Sequence, residues 1–249
     1  MNHKEQIAKQ LQETIDELYS EFSKYARPPE GIVTCFDFGP TEEEAIAFAK
    51  PLKEIPREYI NHLEFFDERG TVAEVKYLIP RILECYWQDI EAQDYLKMDY
   101  PIGLHFIRYQ LVDLKEGSKW NKKEAECTRR YLLLFHEYLS LLPDEEAIQA
   151  YLDFMDALCD VVEDVAPYIT IWEKVPDTIK SKQIEAWLKA HINPDTLELS
   201  PHNWSLDESP PLRAATNQNK IKSWVLSEEN ITNNMELFAQ DPWWKLALQ

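Results

Sequence analysis

The chain has 249 residues, 45% apolar and 29% charged, enough for one large or two small domains around a hydrophobic core. Its net charge of −19 disfavours a sequence-independent nucleic-acid binder, which must neutralise phosphates with Lys and Arg, and equally disfavours adsorption to an anionic membrane. Five glycines are few for this length and speak against a turn-rich β fold or a Gly-rich nucleotide loop, whereas fifteen prolines supply the punctuation between elements.

Ile7, Leu11, Ile15, Leu18, Phe22 and Tyr25 recur at steps of three and four, which predicts a helix from Lys4 to Tyr25, closed by Pro28 and Pro29. Residues 30–40, EGIVTCFDFGP, read as an apolar loop or short extended piece. Thr41 with Glu44 forms a capping box, in which the two residues satisfy each other's orphan N–H groups, and opens a short helix carrying Ala45, Ile46, Phe48 and Ala49. Pro51 closes it. A helix from Pro56 to Arg69, with Tyr59, Ile60, Leu63 and Phe66 inward, ends at Gly70, which takes the left-handed conformation past a helix end without steric cost. Thr71 with Glu74 caps the next helix at once, giving a tight αα-hairpin. Val72, Val75, Ile79, Ile82 and Tyr86 hold helical phase through Pro80. That predicts one helix bent at residues 76–80, because an interior proline removes a donor and clashes with the carbonyl four residues back.

Pro101 opens a helix with Phe106, Ile107, Leu111 and Leu114 on one side, ended near Gly117. Asn121 and Glu124 repeat the cap before a long helix to Leu142, which buries Cys127 or Thr128, Tyr131, Leu132, Phe135, Tyr138 and Leu139. After Pro143 and Asp144, an inward face runs through Ile148, Tyr151, Leu152, Met155, Leu158, Val162 and Val165 and stops at Pro167. A helix from Asp177 to His191 carries Ile184, Trp187 and Leu188. Residues 193–217, with Pro194, Pro201, Pro210 and Pro211, read as a long irregular connection laid against the body by Leu197, Leu199, Trp204 and Leu206. Two helices, 218–226 and 228–240, precede the tail DPWWKLALQ.

No segment of more than a few residues alternates strictly, and no fixed-period repeat is visible. The expectation is one all-α domain spanning 1–249, with antiparallel helix pairs in an irregular bundle or a HEAT-like solenoid. Its main body is 1–192, followed by the connection 193–217 and C-terminal helices 218–249. Cys35, Cys85, Cys127 and Cys159 are widely spaced with no CxxC pair, which fits a reducing compartment better than a disulfide scaffold. The N-terminus lacks the apolar stretch of a secretory signal. The longest near-apolar run, 131–142, is too short to span a bilayer and contains His136 and Glu137. A cytoplasmic protein without membrane contact is expected.

The features from Leu18 to Glu84 follow one another as FSKYARPP, a Cys-containing loop, a helix ending at Pro51-Leu52, and FFDERGTVAEVKYLIPRILE. This order resembles a family of bacterial all-helical proteins with no established activity, whose signature corresponds here to Gly70, Tyr77 and Ile79 to Glu84. A weaker echo covers Leu114 to Glu124. The resemblance spans about the first half of the chain and implies an all-α fold. Members often cluster cysteines after the first helix; here Cys35 stands alone, followed by Phe36, Asp37 and Phe38. Any metal bound by that cluster in relatives would lack its ligands in this chain.

Among chemistry-bearing residues the carboxylates come first. Asp153, Asp156, Asp160, Glu163 and Asp164 are spaced to line one helix face, and between Arg130 and Lys174 ten acids fall with no Lys or Arg. This reads either as a solvated face or as a docking face for a basic protein partner. A di-metal centre would need Glu-x-x-His, yet none of His3, His62, His105, His136, His191 and His202 has Glu three residues before it. His136-Glu137 also lacks the second histidine of HExxH. No metal or cofactor is expected. There is no GxSxG elbow, no P-loop and no GxGxxG. Cys35 and Asp37 mark the one loop candidate, with Cys35 reading more simply as a packing residue. Trp243 and Trp244 point about 100° apart on a helix, so the tail either caps the last helices or offers an aromatic contact for a partner or for self-association.

The leading reading is a non-enzymatic interaction module using an acidic helical face. A bacterial immunity or toxin-neutralising protein is the biological form that suits such a scaffold, by analogy. The alternative is an enzyme whose site is assembled from dispersed side chains.

Overall fold

A computed structural model describes residues 2–27, 41–60, 72–93, 120–193, 198–199 and 212–234. The fold is all-α, with ten α-helices and one 3-10 turn among the described residues. The chain divides into two compact units, residues 1–135 and 136–249.

Unit 1 is built on α1 (His3–Phe22), α2 (Glu42–Phe48), a 3-10 turn (Leu52–Glu54), α3 (Arg57–Ile60), α4 (Val72–Glu91) and the first part of α5 (Lys122–Ser140). Helix α1 starts where Asn2 and Glu5 cap each other: Glu5 N–H donates to Asn2 Oδ1 at 2.9 Å and Asn2 N–H to Glu5 Oε2 at 2.9 Å. Its stripe of Ile7, Leu11, Ile15, Leu18 and Phe22 is buried, and the helix packs against α4. Helix α4 runs unbroken through Pro80, with Val75, Ile79, Ile82 and Tyr86 buried on the expected phase. Tyr131 of α5 donates its hydroxyl to Leu83 O at 2.7 Å, and Phe135 stacks between Tyr131 and Tyr86.

The Thr41–Glu44 box opens α2 as expected. Glu44, Ala47 and Phe48 go inward while Ile46 is 60% exposed. Positions 44, 47 and 48 share a face at helical spacing, and Phe48 sets which face that is. Gly70, Thr71, the side chain of Glu74, the expected helix from Pro101 to Gly117, and Cys35 and Asp37 lie outside the described residues.

Unit 2 holds the rest of α5, then α6 (Glu145–Val161), α7 (Ala166–Glu173), α8 (Asp177–His191), α9 (Leu212–Val225) and α10 (Glu228–Asn233). Helix α6 is its axis and packs against both α8 and α9. Thirteen of its seventeen residues are buried, so its own apolar stripe understates its burial. Ala147, Ala150, Ala157 and Cys159 lie among them; their small side chains leave room for neighbours around much of the helix.

Two expectations need correction here. Pro167 does not end a helix; α6 already stops at Val161, and Pro167 sits in the first turn of α7. Its missing N–H costs nothing there, because first-turn donors have no partner within the helix. The stretch 193–217 is not irregular throughout. Ile192 pairs with Leu199 in an antiparallel bridge, and α9 begins at Leu212. Trp243 and Trp244 lie outside the described residues. No described helix is long and apolar enough to cross a membrane.

Candidate functional site

The five acids singled out from the sequence do not form one exposed face. Asp156 is 9% and Asp160 5% exposed, inside unit 2, and Asp153 is half-buried, accepting from Gln149 Nε2 at 2.9 Å. Glu163 and Asp164 are exposed past the end of α6. Asp164 takes Lys220 Nζ at 2.8 Å and the Ala166 N–H at 3.0 Å, and the first of these chiefly holds its carboxyl below the usual range. The expectation failed for a physical reason: a helix covered by two neighbours buries residues beyond its apolar stripe, charged ones included.

One inward acid, Asp156, meets a histidine. His191 closes α8 and is 4% exposed. Its Nε2 lies 2.9 Å from Asp156 Oδ1 and 3.0 Å from Oδ2, and its Nδ1 lies 2.9 Å from the carbonyl of Trp187 one turn back. The indole of Trp187 stacks on the imidazole at 4.8 Å with 10° between planes. Burial opposes a charged ring, but the hydrogen bond and charge of Asp156, then the Trp187 carbonyl and the Asp153 charge, outweigh it and raise the His191 pKa.

His136 is the opposite case. It is fully buried on α5, its Nε2 is 3.1 Å from the Tyr151 hydroxyl, and its ring lies between Tyr151 and Tyr168. Burial alone pushes its pKa down to about 3, so the ring is neutral. One further residue organises this unit. Asn217 Nδ2 donates to Cys159 O at 3.1 Å and Val162 O at 2.9 Å, while its Oδ1 accepts from Val165 N–H at 3.3 Å. It thereby satisfies carbonyls at the end of α6, which have no partner within the helix.

Unit 1 holds its own polar centre around Glu124, which is fully buried. The Asn121–Glu124 cap expected from the sequence is present, and the same carboxylate also takes Lys76 Nζ at 2.6 Å, Tyr25 OH at 2.5 Å and Lys24 Nζ at 2.8 Å. Lys76 is 5% exposed, with its ammonium 5.3 Å from the Trp120 ring and 5.2 Å from that of Tyr25. Burial would raise the Glu124 pKa, but the hydrogen bonds from Lys24, Lys76, Tyr25 and Asn121 overcome it and hold the group at about 2. Nearby, Arg81 clamps the Ile55 carbonyl through Nε at 3.0 Å and Nη2 at 2.8 Å and reaches Glu84 with Nη1 at 2.5 Å. Glu84 also accepts from Tyr19 OH at 2.6 Å. Arg57 pairs with Asp89.

An open groove of about 410 Å³ lies between α1 and α5, lined by Glu17, Ser20, Glu21, Lys123, Glu126, Cys127 and Arg130. Burial pushes the Cys127 thiol up to about 11, so it is not a nucleophile at neutral pH, and Cys85 behaves alike. Among the described residues no group of three or more His, Cys, Asp and Glu side chains could hold a metal ion. The Asp156–His191 and Lys76–Glu124 ties each join one helix to another. Sequence reading missed Lys76, His191 and Asn217 as organising residues. Only His191 left a trace, four residues after Trp187 and hence on the same helix face. Comparison of the chain with family models, with curated proteins and with solved structures finds no match.

Proposed function

We propose that the chain is a non-enzymatic protein–protein interaction module that takes a basic protein partner on unit 2. The observation that carries the reading is the uneven charge. Residues 136–249 have 20 acids against 8 Lys and Arg, whereas residues 1–135 have 25 against 18. The partner-facing acids are revised from the sequence-chosen set to the exposed ones: Glu145 and Glu146 at the start of α6, Glu163 beyond its end, and Glu173 at the end of α7. A field of one sign steers an oppositely charged partner and makes association salt-dependent. An immunity or toxin-neutralising role, with a basic nuclease as target, is the biological form of this proposal. Membership of the helical family that residues 70–84 resemble belongs to it too.

The test is affinity capture from native cell extract at low and high salt, using the wild-type chain and a variant carrying Glu145→Lys, Glu146→Lys, Glu163→Lys and Glu173→Lys. The reading expects one basic protein, bound saturably by the wild type, weakened by salt and lost with the variant. Equal recovery by the variant sinks it. The alternative, an enzyme with a dispersed site, would draw on Asp156 and His191, which stand 35 residues apart in sequence.

A further inference from the structure

Both ring nitrogens of His191 face oxygen acceptors: the Trp187 carbonyl 2.9 Å from Nδ1, and the Asp156 carboxylate 2.9 and 3.0 Å from Nε2. A neutral imidazole has one N–H and one lone pair, so beside an ionised carboxylate it would set a lone pair against an oxygen. An imidazolium has two N–H groups and satisfies both. The charged groups around it favour that form. On α6, Asp156 touches the ring, Asp153 stands a turn before it, Asp160 is buried a turn beyond, and the helix has no Lys or Arg. On α8 itself Lys189 is paired with Glu185 at 2.5 Å, and in the bridge that follows, Glu198 is exposed. The flat stack on Trp187 adds a π face to the cation.

We infer that His191 is held as an imidazolium and acts as a proton-dependent clasp, fixing the C-terminal end of α8 to α6. Loss of one proton leaves the Nε2–H on the Asp156 carboxylate but sets the Nδ1 lone pair against the Trp187 carbonyl, so the charge of the tie is lost and the helix end loosens, along with the Ile192–Leu199 bridge attached to it. The clasp is thus shut at neutral pH and opens as pH rises, the reverse of a histidine switch that opens on acidification.

The experiment is a two-bond proton–nitrogen correlation spectrum of the full chain with nitrogen-15 histidine, titrated upward from neutral pH, alongside amide exchange of α8. One ring, identified by its loss in His191→Gln, is expected to show two protonated nitrogens at neutral pH and to titrate above the ordinary histidine value of 6.5. Asp156→Asn is expected to lower that titration by about one unit or more, and exchange at residues 188–192 to rise with deprotonation. Asp153 is half-exposed, so Asp153→Asn keeps the test decisive if Asp156→Asn fails to fold: it should give a smaller shift in the same direction. A neutral ring at neutral pH, or a titration that neither substitution moves, overturns the proposal.

Discussion

The two units solve the problem of buried charge differently. In unit 1 three buried or half-buried acids meet permanent cations: Glu124 has Lys76, Glu84 has Arg81, and Asp89 has Arg57, while buried Glu44 caps α2. In unit 2 Lys and Arg are scarce, and Asp156 meets a histidine that is cationic only while it holds a proton. Lys and Arg keep their charge across any ordinary pH, so ties of the first kind are insensitive to alkali; a histidine tie is not. A shortage of fixed cations turns a structural bridge into a titratable one.

The sharpest way to break this contrast is to remove a fixed cation. Lys76→Met takes from Glu124 its buried cation and leaves it the partly exposed Lys24, and is expected to cost about 3 kcal/mol in urea denaturation, with the loss confined to unit 1. Adding Glu124→Leu should recover much of it, since an apolar pair of similar volume removes the stranded charge. In unit 2 the matching lesion is Asn217→Ala, which removes two hydrogen bonds from the end of α6 and one from Val165 ahead of α7 and is expected to cost about 2–3 kcal/mol. A loss under about 0.5 kcal/mol would show that water replaces the side chain.

Acid should separate the units without mutation. The pKa of His136 is lowered on folding, so the unfolded state binds the proton more tightly, and stability in unit 2 falls as pH drops from 6.5 toward about 3. Glu124 is lowered too, so its contribution in unit 1 is present above 4.5 and lost only as pH falls toward about 2. Unit 2 is therefore expected to lose stability first on acidification, read by near-UV circular dichroism and amide exchange. His191 carries the opposite sign: its raised pKa means stability present below 6.5 and lost as pH rises through the folded value. The smallest expected effect is Tyr131→Phe, which deletes the hydrogen bond to Leu83 O for about 1 kcal/mol in unit 1.

Helix positions were largely legible because capping and periodicity are local. Thr41–Glu44, Asn121–Glu124 and the stripe of α1 could be read directly, and Pro80 did not mislead because the apolar phase continued past it. Pro167 misled because a proline can follow the end of one helix or sit in the first turn of the next, and Pro167 does the second. The fate of Asp156 and Asp160 was hidden for a different reason. Periodicity reports one inward stripe, whereas α6 is covered by both α8 and α9, and α9 begins within a stretch whose prolines read as a loop. Ties such as Asp156–His191 and Lys76–Glu124 join residues 35 and 48 apart, a separation that carries no local signal.

The central claim is that the acids of unit 2 divide into inner residues that hold it together and outer residues free to meet a partner. Chemical denaturation of Asp156→Asn beside the variant with Glu145, Glu146, Glu163 and Glu173 changed to Lys tests it most directly. A loss of about 3 kcal/mol is expected for the first and, for the second, a change within about 0.5 kcal/mol at Glu163 and Glu173 and about 0.3–1 kcal/mol at Glu145 and Glu146, where Lys opposes the dipole of α6. An Asp156→Asn protein as stable as the wild type, or an outer variant that unfolds, would contradict it.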